Sequence, residues 1–189
     1  RTGSTTRGIP IPAGYYETIK TPKGERRIEA FWSFKATTAG SSLILPDGRC
    51  DIIIRTCKHK PQEVVPIMTG PATRAYCVNY QAGDQWHGLR LRPKQGAVLW
   101  QQRLGTAADH VLRGRAAFAQ SPFLANLKGA ALTLDQLAQT ISARSWPSGN
   151  CRLIKAIELL HISGGRLRIT DLARHVACTP RHLNRLFRQ

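Results

Sequence analysis

The chain has 189 residues, 42% of them hydrophobic and 21% charged, a balance that excludes wholesale disorder and leaves enough apolar surface for a real core. No run approaches the roughly 18 apolar residues of a membrane-spanning helix, and no signal peptide is expected. Against 11 Asp+Glu stand 28 Lys+Arg, a formal net charge of +17 that favours nucleic acid or another acidic partner.

Residues 1–14 (RTGSTTRGIPIPAG) lack periodicity and are read as a mobile leader. From Tyr15 to about Leu104 the signals are mostly those of strands. In SSLILPDGRCDIIIR two apolar, β-branched runs flank Pro46-Asp47-Gly48, which predicts a hairpin. Further short runs follow at 64–68 (VVPIM), 75–80 (AYCVNY) and 87–92 (HGLRLR), each near Gly or Pro. Such spacing predicts an antiparallel sheet or barrel. Segment 23–31 (KGERRIEAF) reads equally as helix or strand.

Past Pro93 the texture turns helical. QGAVLWQQRL, FLANL and LTLDQLAQTISARSW carry helical spacing, with Leu132, Leu134, Leu137, Ala138 and Ile141 on one stripe. Residues 105–147 are thus expected to form a helical connector packed on the β-rich domain 15–104, closed by the break at Pro147-Ser148-Gly149. The next helix should bury Leu153, Ile154, Ile157 and Leu160 and stop at Gly164-Gly165.

The stretch RLRITDLARHVACTPRHLNRLFRQ is the most informative. Thr170 is placed to cap a helix with Asp171 in its first turn and Leu172, Ala173 and Val176 on one face. After a break at Ala177-Cys178, Thr179-Pro180 supply a capping residue and a first-turn proline. Leu183, Leu186 and Phe187 should point inward, leaving Arg181, Asn184, Arg185 and Arg188 outside at three- and four-residue steps. Two short helices, the second bearing arginines and an amide near its start, suit the reading of a DNA major groove. Arginine grips guanine O6/N7 with a forked pair of bonds, and Asn matches adenine N6/N7. The blander alternative is a solvated basic helix pair. The charge density favours the first: residues 151–189 hold eight basic and two acidic residues, about twice the net density of the rest.

Residues 151–189 resemble the first half of the DNA-binding domain of AraC/XylS-type transcription regulators. The likeness lies in Ile169, Leu172-Ala173, Thr179, Leu183, Arg185 and Phe187. It implies that Arg181, Asn184 and Arg185 face bases or nearby backbone, and that Thr179 and Arg188 contact phosphates. It also implies a second helix-turn-helix, joined by a long helix, that would follow Gln189. Ala177 departs from the pattern, for the family usually has glycine in that turn, and an alanine at positive φ would be strained. More loosely, LILPDGRCDIII, GPAT and GLRLRP resemble an uncharacterised domain found ahead of AraC-type DNA-binding halves. That likeness implies a module that senses a small-molecule effector or forms a homodimer.

Other constellations point to less. Cys57-x-His59, Cys77 and His87 could be imagined as a metal site in a cupin-shaped barrel, yet paired ligands at short spacing are lacking, so no metal is expected. Five dispersed cysteines without C-x-x-C suggest reduced thiols and a cytoplasmic setting. Cys178, near arginines and a helix start, reads more simply as a small turn residue than as a redox sensor. Trp32, Trp86, Trp100 and Trp146 are core candidates, the first two also candidates for an apolar cavity. No nucleophile motif or phosphate-cradling glycine loop occurs. The sequence therefore predicts an α+β, non-enzymatic, cofactor-free regulator that binds double-stranded DNA. Two alternatives stand beside it: a metal-dependent cupin-like enzyme, and a stand-alone ligand-binding module with a non-functional helical tail.

Overall fold

A computed structural model describes residues 12–18, 27–92, 95–100, 104–121, 124, 133–143 and 151–188. The chain divides into two compact units, Arg1–Arg144 and Ser145–Gln189. The class is α+β with an antiparallel sheet, as expected.

In the N-terminal unit the strands are β1 (Tyr15–Thr18), β2 (Ile28–Lys35), β3 (Gly40–Ile44), β4 (Cys50–Cys57), β5 (Lys60–Thr69), β6 (Tyr76–Tyr80), β7 (Gln85–Leu91) and β8 (Val111–Arg113). Six of them form one sheet in the order β1-β2-β7-β4-β5-β8, and β3 pairs with β6 in a second, two-stranded sheet. The described helices are α1 (Gly96–Trp100), α2 (Leu104–Ala107), α3 (Arg115–Gln120) and α4 (Leu134–Ala143).

Register explains the core. Ile28 lies opposite Leu91, Ile52 opposite both Leu89 and Met68, and Cys50 opposite Leu91, so these side chains share one face. All five named Ile, Leu and Met residues are fully buried. On α4, Leu137, Ala138 and Ile141 are buried and the helix lies against β7. Arg27 ties it down, donating from Nη1 to the Ile141 carbonyl at 2.8 Å. On the opposite face Phe34, Ile53, Ile67 and Trp86 form a second cluster, onto which Val78 and Tyr80 of the small sheet pack. Tyr80 meets Phe34 edge-on at 4.8 Å. Three consecutive isoleucines, Ile52 to Ile54, are buried because β4 is central and covered on both faces.

Gly88 supplies a close approach on that second face. A Cβ there would collide with the Trp32 indole, so the ring occupies space that only glycine leaves open.

Several expectations change. The segment around Pro46-Asp47-Gly48 has no regular structure and no turn, with Gly48 at φ 66° and the Arg49 N–H donating to Asp47 Oδ1 at 2.9 Å. It makes no hairpin, since β3 joins β6 and β4 joins β5 and β7. Residues 28–35 of the ambiguous segment and its continuation are strand. Val111–Arg113, expected within a helical connector, pairs with β5 as an edge strand. Of the leader, residues 1–11 lie outside the described residues. Its last residue is anchored, with the Lys35 N–H donating to the Gly14 carbonyl at 3.1 Å. Leu132, Trp146, Pro147-Ser148-Gly149 and most of FLANL also lie outside them. Trp86 and Trp100 are core residues and Trp32 packs against the Trp86 cluster.

The second face also holds a polar junction. Arg90 lies within 3.5 Å of Glu17 on β1 and of Asp51 on β4, and 3.9 Å from Asp47 in the β3–β4 loop. Trp32 Nε1 donates to Asp51 Oδ2 at 3.3 Å. Burial pushes the Asp51 carboxyl up to about 6 despite the pull of Arg90. Because the folded value lies above the ordinary one, this group favours folding when protonated and opposes it once ionised. Asp51→Asn, which keeps an acceptor for Trp32, is therefore expected to match the parent near pH 4 and to exceed it by about 1–3 kcal/mol above pH 7. Denaturant unfolding across that range checks it, and an advantage that shrinks as pH rises would contradict the burial of a charged Asp51.

Candidate nucleic-acid interface

The C-terminal unit contains α5 (Cys151–Ile162), α6 (Ile169–His175) and α7 (Pro180–Phe187). Ala156, Leu172, Ala173, Val176 and Leu183 form its core, with Leu159, Leu160, Leu167 and Cys178 packed around them. Ala156 and Ala173 are both fully buried, and their small size lets α5 and α6 approach closely.

Local sequence sets the helix ends. The first helix stops where Gly164 and Gly165 adopt φ 60° and 75°, and the Gly165 N–H donates back to the Leu160 carbonyl at 2.8 Å. The residue flanking α6 is Arg168 rather than Thr170, which lies inside the helix. Asp171 in its first turn accepts from Arg168 Nε at 3.0 Å and Arg174 Nη1 at 3.1 Å. These cations, chiefly Arg168, hold its carboxyl below the usual range. Thr179 caps α7 as expected, its Oγ1 accepting from the His182 N–H at 3.2 Å, and Pro180 occupies the first turn. Between the helices Ala177 adopts φ 51°.

On a helical wheel Arg181, Asn184, Arg185 and Arg188 span an arc of about 100°, opposite Leu183 and Leu186. Leu183 and Leu186 are buried, and all four polar residues are exposed. Together with Thr179 and His182 they line one open concavity. All five residues expected at the interface are thus brought together on one surface. Among the described residues no carboxylate forms an ion pair with Arg181, Arg185 or Arg188. The sequence reading missed His182, whose Nδ1 lies 3.0 Å from Arg185 Nη2. The available signal was its place one turn before Arg185.

Two inward assignments are corrected. Phe187 is 42% exposed, standing about 70° around the wheel from the centre of the Leu183–Leu186 stripe. On α5 the buried positions are Leu153 and Ala156, and Ile154 is 40% exposed, about 100° from Leu153.

The N-terminal unit has an open depression where β2, β4 and the β6–β7 turn end, lined by Lys35, Thr37, Thr56, Cys57, Lys58 and Gln85. The imagined metal ligands are dispersed: Cys77 pairs with Leu43 in the small sheet, and His87 with Ile54 in the large one. Among the described residues no three His, Cys, Asp or Glu side chains converge on a metal position, and no helix is long and apolar enough to cross a membrane. No family model, curated protein or solved structure matches this chain.

The left-handed Ala177 carries a Cβ penalty of about 1–2 kcal/mol, partly offset by the larger unfolded-state entropy of glycine. Ala177→Gly is expected to slow amide exchange across Ala173–Leu183 and stabilise the C-terminal unit by about 0.5–1 kcal/mol. Faster exchange there would show that the turn depends on the alanine methyl.

Proposed function

We propose that the chain is a sequence-specific, DNA-binding transcription regulator of the AraC/XylS type. In this reading α6 and α7 are a helix-turn-helix, α7 enters the major groove, and the N-terminal unit senses a small effector, pairs two chains, or does both. The observation that carries it is the exposed ridge of Arg181, Asn184, Arg185 and Arg188, set opposite buried Leu183 and Leu186 and free of carboxylate partners among the described residues.

Each residue has a chemical role. Arg181 and Arg185 present forked donors suited to guanine O6/N7, and Asn184 offers the donor and acceptor that match adenine N6/N7. Thr179 uses its oxygen as the cap acceptor and retains a hydroxyl proton for a phosphate. Arg188, at the far end of α7, is a phosphate contact. Phosphate contacts supply affinity and base contacts supply specificity, so the activity is binding rather than catalysis and uses no cofactor. Such a regulator works in the cytoplasm, where it meets its promoter.

Fluorescence anisotropy on a duplex selected from a random pool, and on an unrelated duplex, tests this. Arg185→Ala is expected to cost about 1–3 kcal/mol on the selected duplex and far less on the other. Arg188→Ala should weaken both alike and reduce the salt slope by about one. Equal losses on both duplexes for Arg185→Ala would refute the division of roles, and binding that ignores salt would refute the reading as a whole.

A further inference from the structure

His182 sits at the flank of the ridge, half-buried, between the exposed Arg185 and the buried Leu186 on the wheel. Only its backbone N–H serves the Thr179 cap, so the ring is left for another partner. That partner is Arg185, one turn further on, with Nη2 at 3.0 Å from Nδ1. A guanidinium can only donate, so Nδ1 is the acceptor in this contact, which calls for the ring proton to be on Nε2. One Nη2 hydrogen of Arg185 is thereby used. The other, with those of Nη1, still forms a planar fork.

A flexible arginine loses side-chain entropy when it grips one base edge, and a partner that already restrains the fork reduces that loss. Among the side chains of the concavity, His182 is the one that accepts from Arg185. Thr179 spends its oxygen on the cap, Arg181 and Arg188 are cations, and no hydrogen bond joins Asn184 to Arg185.

We infer that His182 is a positioning residue that sets the orientation of Arg185 and so the preference at the base pair Arg185 reads. This rests on the DNA-binding reading above. Loss of His182 removes discrimination at one base pair and leaves the phosphate contacts intact.

The test uses the full chain and a pool of random-sequence duplexes, with selection by wild type, His182→Ala, His182→Asn and Arg185→Ala. Wild type is expected to select a motif, and Arg185→Ala to flatten it at one base pair. His182→Ala should flatten that same base pair by about three- to tenfold, with binding to unselected duplex and its salt slope unchanged. His182→Asn should retain the preference, because its Oδ1 can take the place of Nδ1 as acceptor. The Thr179 cap uses backbone, so an unchanged helical circular-dichroism signal and thermal midpoint are expected for both His182 variants.

The inference is overturned if His182→Ala keeps the preference, if it weakens every base position alike, or if His182→Asn loses as much as His182→Ala. A wild type that selects no motif fails the DNA-binding reading itself. A motif that Arg185→Ala flattens and His182→Ala does not fails the positioning role alone.

Discussion

Burial of Leu183 decides which way the cationic side of α7 faces. The side chain is fully buried among Ala156, Leu172, Ala173 and Val176, a contribution of about 1.5–3 kcal/mol for a residue of its size. Leu186 adds to it from the same stripe. Rolling the helix by half a turn would expose both leucines and press arginines against an apolar core, where an unpaired charge is far costlier than the leucines are favourable. The ridge is consequently outward because the buried leucine stripe fixes the roll of the helix.

Features set by a few adjacent residues were legible in the sequence. Thr179-Pro180 marks a helix start through an oxygen and a missing N–H, Gly164-Gly165 marks a stop through left-handed backbone, and both stand where they were expected. The strand segments at 64–68, 75–80 and 87–92 were also visible as short apolar runs. Their partners were not. Pro46-Asp47-Gly48 reads as a turn, yet the backbone there passes from one sheet to another, and β3 finds β6 across more than 30 residues. Val111–Arg113 has too few residues to show a period, so only its pairing with β5 reveals it as a strand. Phe187 and Ile154 show a different limit: hydrophobicity places a residue near the apolar stripe, and the wheel angle then decides whether it is covered.

Net charge alone identifies no interface, because a guanidinium already committed to a carboxylate is a poor ligand for a phosphate or a base. In the N-terminal unit several arginines are committed. Arg49 holds Glu29 through two hydrogen bonds, Arg55 donates to buried Asp84 at 2.8 Å, and Arg90 is shared by Glu17, Asp47 and Asp51. In the C-terminal unit Asp171, one of two carboxylates in residues 151–189, engages Arg168 and Arg174 on α6. The arginines of the ridge on α7 have no carboxylate partner among the described residues. A surplus of cations therefore becomes a directed surface through where the few acids are placed.

The turn between α6 and α7 carries the cost of that arrangement. The Cys178 N–H reaches back to the Ala173 carbonyl at 3.0 Å and the Ala177 N–H to that of Arg174 at 3.1 Å, closing α6 within a single left-handed step. Alanine makes this step at a penalty glycine would avoid, yet Thr179 still caps α7 and Leu183 still reaches the core. The strain therefore sits between the helices rather than within the ridge. It follows that the spacing of Arg181, Asn184, Arg185 and Arg188 depends on helix geometry, which is insensitive to residue 177. Only the crossing of the two helices answers to that residue.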